Sequence, residues 1–139
     1  MRYRFVDCRW ELDDPAAGRR AYREGHVPGA VFVDLERQLS APPGPNGRHP
    51  LPEQDQFAEA MSRAGIDRET YVVAYGSLGG AERLWWLLRH FGHDGCAVLD
   101  LAGWHGPLVP GEEEAEPARF EPRERAGDTI GRAELAARH

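Results

Sequence analysis

The stretch Tyr71-Val72-Val73-Ala74-Tyr75-Gly76-Ser77-Leu78-Gly79-Gly80-Ala81-Glu82-Arg83-Leu84-Trp85-Trp86-Leu87-Leu88-Arg89-His90-Phe91-Gly92 decides the fold. Tyr71 to Tyr75 is short and rich in β-formers, which predicts a buried central strand. Glycines crowd Gly76 to Gly80, so a tight loop follows. From Ala81 to Phe91 the residues Leu84, Trp85, Leu87, Leu88 and Phe91 make an apolar stripe wide enough to face a sheet. Gly92 ends that helix.

The same alternation continues outward. Phe5 to Trp10 reads as a short strand stopped by the acidic turn Asp13-Asp14-Pro15, and Ala16 to Glu24 as a short helix. Gly25-His26-Val27-Pro28-Gly29-Ala30 breaks it, and Ala30 to Val33 is a second strand. Ser40 to Pro52 holds five of the 11 prolines and predicts an extended loop. Pro52 to Ala64 has helical period, with Phe57, Ala60, Met61 and Ala64 at i, i+3, i+4 and i+7, and Gly65 stops it. Cys96 to Leu99 is the last strand. Strands alternating with helices of about ten residues predict an α/β fold with a mainly parallel sheet flanked by helices. A ligand site is then expected in the loops after Asp7, Tyr75 and Leu99, beyond the carboxyl ends of the strands.

The character changes past Leu108. Gly111 to Asp128 carries Glu112-Glu113-Glu114, two prolines and few apolar residues, a linker composition. Asp128-Thr129-Ile130 and Ala133 to Ala137 then look like a strand followed by a new helix. The expected organisation is one domain over 1–110, an acidic linker over 111–127, and the start of a second, truncated domain over 128–139. The Glu112 to Glu116 run is read as a solvated linker rather than a metal site.

Composition bounds the function. The chain has 139 residues and a net charge of −6, from 17 basic and 23 acidic residues. Hydrophobic residues are 41% and charged residues 29%, an ordinary globular balance. Mean hydropathy is −0.60, and no run nears the ~18 apolar residues of a membrane span. The amino terminus shows no apolar signal-peptide core. Cys8 and Cys96 form no CxxC and no zinc spacing, which suits a reducing cytoplasm. An acidic chain is a poor nucleic-acid binder. No membrane or nucleic-acid partner is expected. All the basic residues are Arg and none is Lys, a bias expected of a high-GC bacterium.

The loop after Tyr75 is the first candidate for chemistry. Backbone N–H groups at a helix N-terminus can cradle an anion. A Cys at the head of such a loop would be an activated nucleophile, but here that position is Gly76. Read alone, the loop is a well-made turn. Cys8 and Cys96 read as structural thiols. His90 and His93 are spaced like a ligand pair, yet no acidic or Cys partner is near in sequence, so a solvated helix end is expected instead of zinc. His26 and His49 lie in Pro-Gly turns and are expected to bond backbone groups rather than act as bases. Neither a metal nor a cofactor is expected.

Val6-Asp7-Cys8-Arg9-Trp10, Gly25-His26-Val27-Pro28-Gly29-Ala30, Gly47-Arg48-His49-Pro50-Leu51-Pro52, Arg83-Leu84-Trp85-Trp86-Leu87-Leu88 and Gly92-His93 occur in that order. Together, from about Phe5 to Leu108, they resemble the N-terminal half of a tandem-domain sulfurtransferase of the rhodanese family. The tail from Asp128 resembles the opening of the second domain. The resemblance implies a three-layer rhodanese-like domain that packs against a second such domain. In the family that second domain carries a catalytic Cys, which takes sulfane sulfur from thiosulfate or 3-mercaptopyruvate and passes it to cyanide or a thiol.

The first domain usually lacks the Cys and is silent. Gly76, Ser77, Leu78, Gly79, Gly80 and Ala81 match the place of the active loop, with Gly76 where the nucleophile would stand. First domains of the family often have Asp there, so Gly76 is a further departure. Trp10 matches a position that walls the partner's cleft. Asp7, Arg9, His26, Pro28, Gly29 and Arg83 match structural motif positions, with Arg83 implied to pair with Asp7, to face the domain interface or to serve packing. Leu99-Asp100-Leu101-Ala102-Gly103-Trp104 resembles a shortened form of the family's Leu-x-Gly-Gly-x-x-x-Trp segment. By the resemblance, this chain holds no catalytic residue and its partners are the second domain and, in the full enzyme, a small sulfur-containing anion. The donor is not readable here, because in the family it is set mainly by residues after the catalytic Cys. The other reading is a stand-alone, inactive rhodanese-like binding or regulatory module.

Overall fold

The computed structural model describes residues 2–35, 37–40 and 51–124. Its elements are β1 (Arg2–Cys8), α1 (Ala17–Glu24), β2 (Val31–Phe32), α2 (Gln54–Arg63), β3 (Thr70–Gly76), α3 (Gly80–His90) and β4 (Cys96–Val98). A single turn of 3-10 helix follows at Leu101–Gly103. The four strands form one sheet in the order β2-β1-β3-β4, and every pair is parallel.

The pleat sorts the core into two layers. Val6 lies opposite Val31 and Ala74, and Val72 lies opposite Cys96. Alternation along the strands sends Val6, Cys8, Val72 and Ala74 to one face. There they meet Phe57 and Met61 of α2 and Leu84, Leu87 and Leu88 of α3. Phe5 and Tyr75 point the other way and pack with Tyr22 of α1, Val27 and Ala30. Helices therefore cover both faces, the arrangement that buries an all-parallel sheet.

β1 begins at Arg2, three residues before the predicted Phe5. Arg2, Tyr3 and Arg4 pair in register with Thr70, Tyr71 and Val72, although Arg2 and Tyr3 are exposed. Backbone pairing, which hydropathy does not report, extends the strand. β1 also stops at Cys8 rather than Trp10, because Arg9 turns back onto Asp7. Just past α2 and α3, Gly65 and Gly92 take left-handed φ of 77° and 92° and turn the chain.

The stretch after Leu108 departs furthest from its solvated-linker expectation. Residues 111–124 run without regular structure across the domain and are bonded along their length. Gly111 N–H donates to Arg23 O at 2.8 Å, and Glu112 pairs with Arg19 and Arg23. Glu113 Oε2 lies 2.8 Å from His26 Nε2 and accepts from Gly29 N–H at 2.9 Å. Ala118 N–H donates to Ser62 O, Phe120 N–H to Ser62 Oγ and Arg123 N–H to Phe91 O. Phe120 is buried edge-on against Phe57, with ring centroids 5.6 Å apart. One aromatic anchor and a series of backbone bonds make this strap part of the domain, and neither signal shows in its composition. The Ser40–Pro52 loop from Ala41 to Pro50, His49 included, and the 128–139 segment lie outside the described residues.

Candidate functional site

In the order β2-β1-β3-β4 the chain leaves β1 toward one edge and β3 toward the other. The carboxyl ends of β1 and β3 are thus the topological switch point, where open α/β sheets place their crevice. A recess of about 400 Å³ opens there, with Trp10, Ala17, Gly18, Ala21, Ser77 and Leu78 on its walls. Its lining is mostly apolar, and Arg9 and Glu11 supply the charge.

Arg9 lines this recess and is held by Asp7. Asp7 is fully buried. Its carboxylate takes hydrogen bonds from Arg9 Nε at 3.1 Å, from Arg9 NH2 at 2.6 Å and from the Arg9 backbone N–H at 3.0 Å. Arg9 also donates to Gly25 O at 2.6 Å. Burial alone would lower the guanidinium pKa, but Asp7 reverses this and holds it raised. The Tyr75 ring lies under Arg9, 5.7 Å from its centroid, and the Tyr75 hydroxyl accepts from Val27 N–H at 3.1 Å. Burial first and the Asp7 charge second push that phenol up. This network ties the ends of β1 and β3 to the His26-Pro28 turn.

The Gly76–Ala81 loop closes one wall. Ser77 Oγ both accepts from Trp10 N–H at 3.2 Å and donates to Trp10 O at 3.0 Å, while Trp10 Nε1 donates to Leu78 O at 3.3 Å. Trp10 is half-buried in this clamp. Gly76 and Gly80 are glycines because the Cys8 carbonyl crosses them. A Cβ at Gly76 would sit 2.8 Å from Cys8 O, and one at Gly80 2.2 Å from it. Glu82 stands in the first turn of α3, where a negative charge opposes anion binding at the helix end.

Neither thiol lines the recess, although Cys8 ends β1 beside it. Cys8 is 0% exposed and Cys96 is 7% exposed. Burial, with the Asp7 charge second, raises the Cys8 thiol, and burial pushes Cys96 up to about 12. Neither is a ready thiolate at neutral pH.

Other positions sit differently from their sequence reading. His90 is not at a solvated end. It is fully buried, stacked 4.9 Å from Trp86, with Nε2 2.8 Å from Glu124 Oε2. His93 is buried with Nε2 2.9 Å from Thr70 O. Their partners lie 34 and 23 residues away in sequence, out of reach of a local reading. Arg83 does not meet Asp7. It donates to Leu39 O at 3.1 and 3.0 Å, securing the chain after β2 against α3. His26 Nδ1 lies 2.9 Å from Tyr22 O. Among the described residues no cluster of His, Cys, Asp or Glu could hold a metal, and no helix is long and apolar enough to cross a membrane.

Tyr22 and Glu113 were not singled out by sequence. The Tyr22 hydroxyl donates to Ala30 O at 2.7 Å and accepts from Glu113 N–H at 2.9 Å, and its ring stacks 4.3 Å from His26. The i, i+4 spacing of Tyr22 and His26 on a helix end was the available signal.

Comparison with known proteins agrees with this geometry. The family described as "Rhodanese-like domain" matches residues 1–105. The Pseudomonas aeruginosa protein named "Probable 3-mercaptopyruvate sulfurtransferase" is 42% identical over 142 residues, which cover 95% of this chain and 50% of that one. The human 3-mercaptopyruvate sulfurtransferase is 38% identical, covering 83% of this chain and 41% of its own. The solved 3-mercaptopyruvate sulfurtransferase of Leishmania major superposes with a TM-score of 0.73 at 29% identity, over 88% of this chain and 37% of that one. The chain spans about half the length or less of these relatives. With its three-layer α/β architecture, its switch-point crevice and a family match over three-quarters of its length, the chain belongs to the rhodanese-like domain family.

Proposed function

We propose that this chain is the catalytically silent N-terminal rhodanese domain of a two-domain sulfurtransferase, with a cytoplasmic setting and a bacterial source. The whole enzyme moves sulfane sulfur from 3-mercaptopyruvate or thiosulfate to cyanide or a thiol. Its chemistry belongs to a Cys thiolate on the other half. That thiolate forms a bond to the donor's outer sulfur, pyruvate or sulfite leaves, and the acceptor then takes the sulfur and frees the thiolate. In this reading the present half shapes the cleft, with Trp10 on its wall, and stabilises its partner. The domain organisation follows the same reading, with the strap leading to a second domain from about residue 128.

The observation that carries the reading is the crevice without a thiol. The loop that heads α3 begins at Gly76, where the Cys8 carbonyl leaves no room for a Cβ, and both cysteines are sealed in the core. Relatives named as sulfurtransferases, about twice the chain's length or more, support a missing catalytic half. Intact-mass measurement after incubation with thiosulfate tests it. The chain should gain no sulfur, and a persulfide on Cys8 or Cys96 would overturn the reading.

The stand-alone inactive module has one observation in its favour. The strap completes the domain's own core through Phe120, as a self-sufficient binding unit requires.

A further inference from the structure

We propose that His26 and Glu113 form a proton-operated latch: a second proton on the His26 ring fastens the strap to the His26–Gly29 turn, and its loss as pH rises lets this part of the strap go. The inference goes beyond the sulfurtransferase reading and does not depend on a second domain.

The two oxygens that face the ring set its proton count. His26 is fully buried, with Nδ1 2.9 Å from Tyr22 O and Nε2 2.8 Å from Glu113 Oε2. A carbonyl and a carboxylate only accept hydrogen bonds, and a neutral imidazole has one N–H. Whichever nitrogen carries that proton, the other sets a lone pair against an oxygen. The imidazolium bonds both. Glu113 is a carboxylate here, because the Gly29 N–H first and His26 second hold its carboxyl below the usual range. Tyr22 O lies in the last turn of α1, where carbonyls lack helical partners and the helix dipole favours a cation. The His26 backbone N–H would serve that carbonyl in a longer helix, but it donates to Val109 O at 2.9 Å. The ring N–H takes its place.

The neighbouring charges are otherwise paired. On the strap, Glu112 is held by Arg19 and Arg23 of α1. At the end of β1, Asp7 is held by Arg9, which also donates to Gly25 O. Arg4 of β1 adds positive charge near Glu113. Tyr22 and Tyr75 pack against the turn from α1 and β3, and burial raises both phenols, so each keeps its proton. His26 is the group of this cluster whose charge can change near neutral pH. Three bonds fasten the strap here. Glu113 Oε2 meets His26 and also accepts from Gly29 N–H at 2.9 Å, and the Glu113 N–H donates to the Tyr22 hydroxyl at 2.9 Å. A recess of about 380 Å³ opens beside this part of the strap, with Tyr22, Phe32 and Ala60 in its lining, so polar bonds carry much of the attachment. Deprotonating the ring replaces a charge-assisted bond with lone-pair repulsion against the oxygen that also holds Gly29. The Phe120 anchor, farther along the strap on Phe57 and Ser62, is separate from this cluster.

Nuclear magnetic resonance of the 139-residue chain tests the latch. Ring nitrogen shifts of His26, assigned against His26→Gln, count the protons on the ring. Amide exchange, corrected for base catalysis, reads the strap. From pH 6 to 9 the ring should pass from two N–H groups to one. In the same step the Gly29 and Glu113 amides should lose roughly tenfold or more in protection, while the Phe120 amide, bonded to Ser62 Oγ, keeps its own. His26→Gln has no such proton and Glu113→Ala has no acceptor for it, so neither should show the step. Glu113→Ala leaves the buried ring in place and serves alone if His26→Gln does not fold. Gly29 and Glu113 amides that stay protected through deprotonation of the ring would overturn the latch. So would a ring with a single N–H wherever those amides are protected, a step that persists in either variant, or a simultaneous loss of protection at Phe120.

Discussion

Placing a cysteine at Gly76 should not restore a catalytic loop. An ideal Cβ at this position lies 2.8 Å from Cys8 O, 2.9 Å from Cys8 C and 3.2 Å from Ala81 N. These are backbone atoms of β1 and of the first turn of α3, so no rotamer change relieves the contact. Ordinary van der Waals separation would need β1 and α3 to part by several tenths of an ångström. Both pack on the core through Cys8, Ala81 and Leu84. Over-packing of this kind costs about 1–3 kcal/mol, or a drop of roughly 3–12 °C in Tm for a domain of this size. Because the Cβ causes the clash, Gly76→Ala and Gly76→Cys should lose similar stability in thermal unfolding followed by circular dichroism. Gly76→Cys should form no thiocyanate from thiosulfate and cyanide. A Gly76→Cys protein as stable as wild type, with measurable turnover, would refute the claim that the Cys8 carbonyl closes this position.

Three further outcomes follow from other parts of the structure. Phe120→Ala should cost about 3–5 kcal/mol in urea unfolding, because the ring fills the core against Phe57; a change under 1 kcal/mol would mean the strap is not anchored. Asp7→Ala leaves the half-buried Arg9 guanidinium without its carboxylate, and breaking a buried pair from one side costs about 3–5 kcal/mol, again read in urea. Glu113 gives an acid-side pH dependence. The Gly29 N–H first, then His26, hold its carboxyl below the usual range. A lowered pKa in the fold stabilises above the unfolded value of about 4.3 and is lost as pH falls below it toward the folded value. Unfolding free energy measured from pH 6 to 3 should fall less steeply in Glu113→Gln than in wild type, and identical slopes would contradict the contact.

The sequence made the βα rhythm readable because the signals were local. Glycines flank α3, and Phe57, Ala60, Met61 and Ala64 repeat on one side of α2, so element type and order follow from spacing. The loop's lack of a nucleophile was equally local, being one residue at one position. What escaped was carried by distant partners. His90 and His93 look solvated until Glu124 and the Thr70 carbonyl are brought to them by the tertiary fold. Arg83 reaches the main-chain oxygen of Leu39, 44 residues away, and no side-chain pattern encodes that choice. The strap reads as linker because its bonds are mainly backbone bonds and its one deep anchor is a single Phe among charges. At the site, the Ser77–Trp10 clamp joins residues 67 apart; each was visible alone, and their pairing was not.

The most direct measurement compares sulfur transfer by the 139-residue chain with transfer by the product of the whole reading frame. Thiosulfate with cyanide and 3-mercaptopyruvate with a thiol serve as substrates. The whole product should turn over, undiminished by Cys8→Ala and Cys96→Ala together, and the 139-residue chain should not. Turnover by the 139-residue chain, or its loss from the whole product when these two cysteines are removed, would contradict the reading of this chain as the silent half.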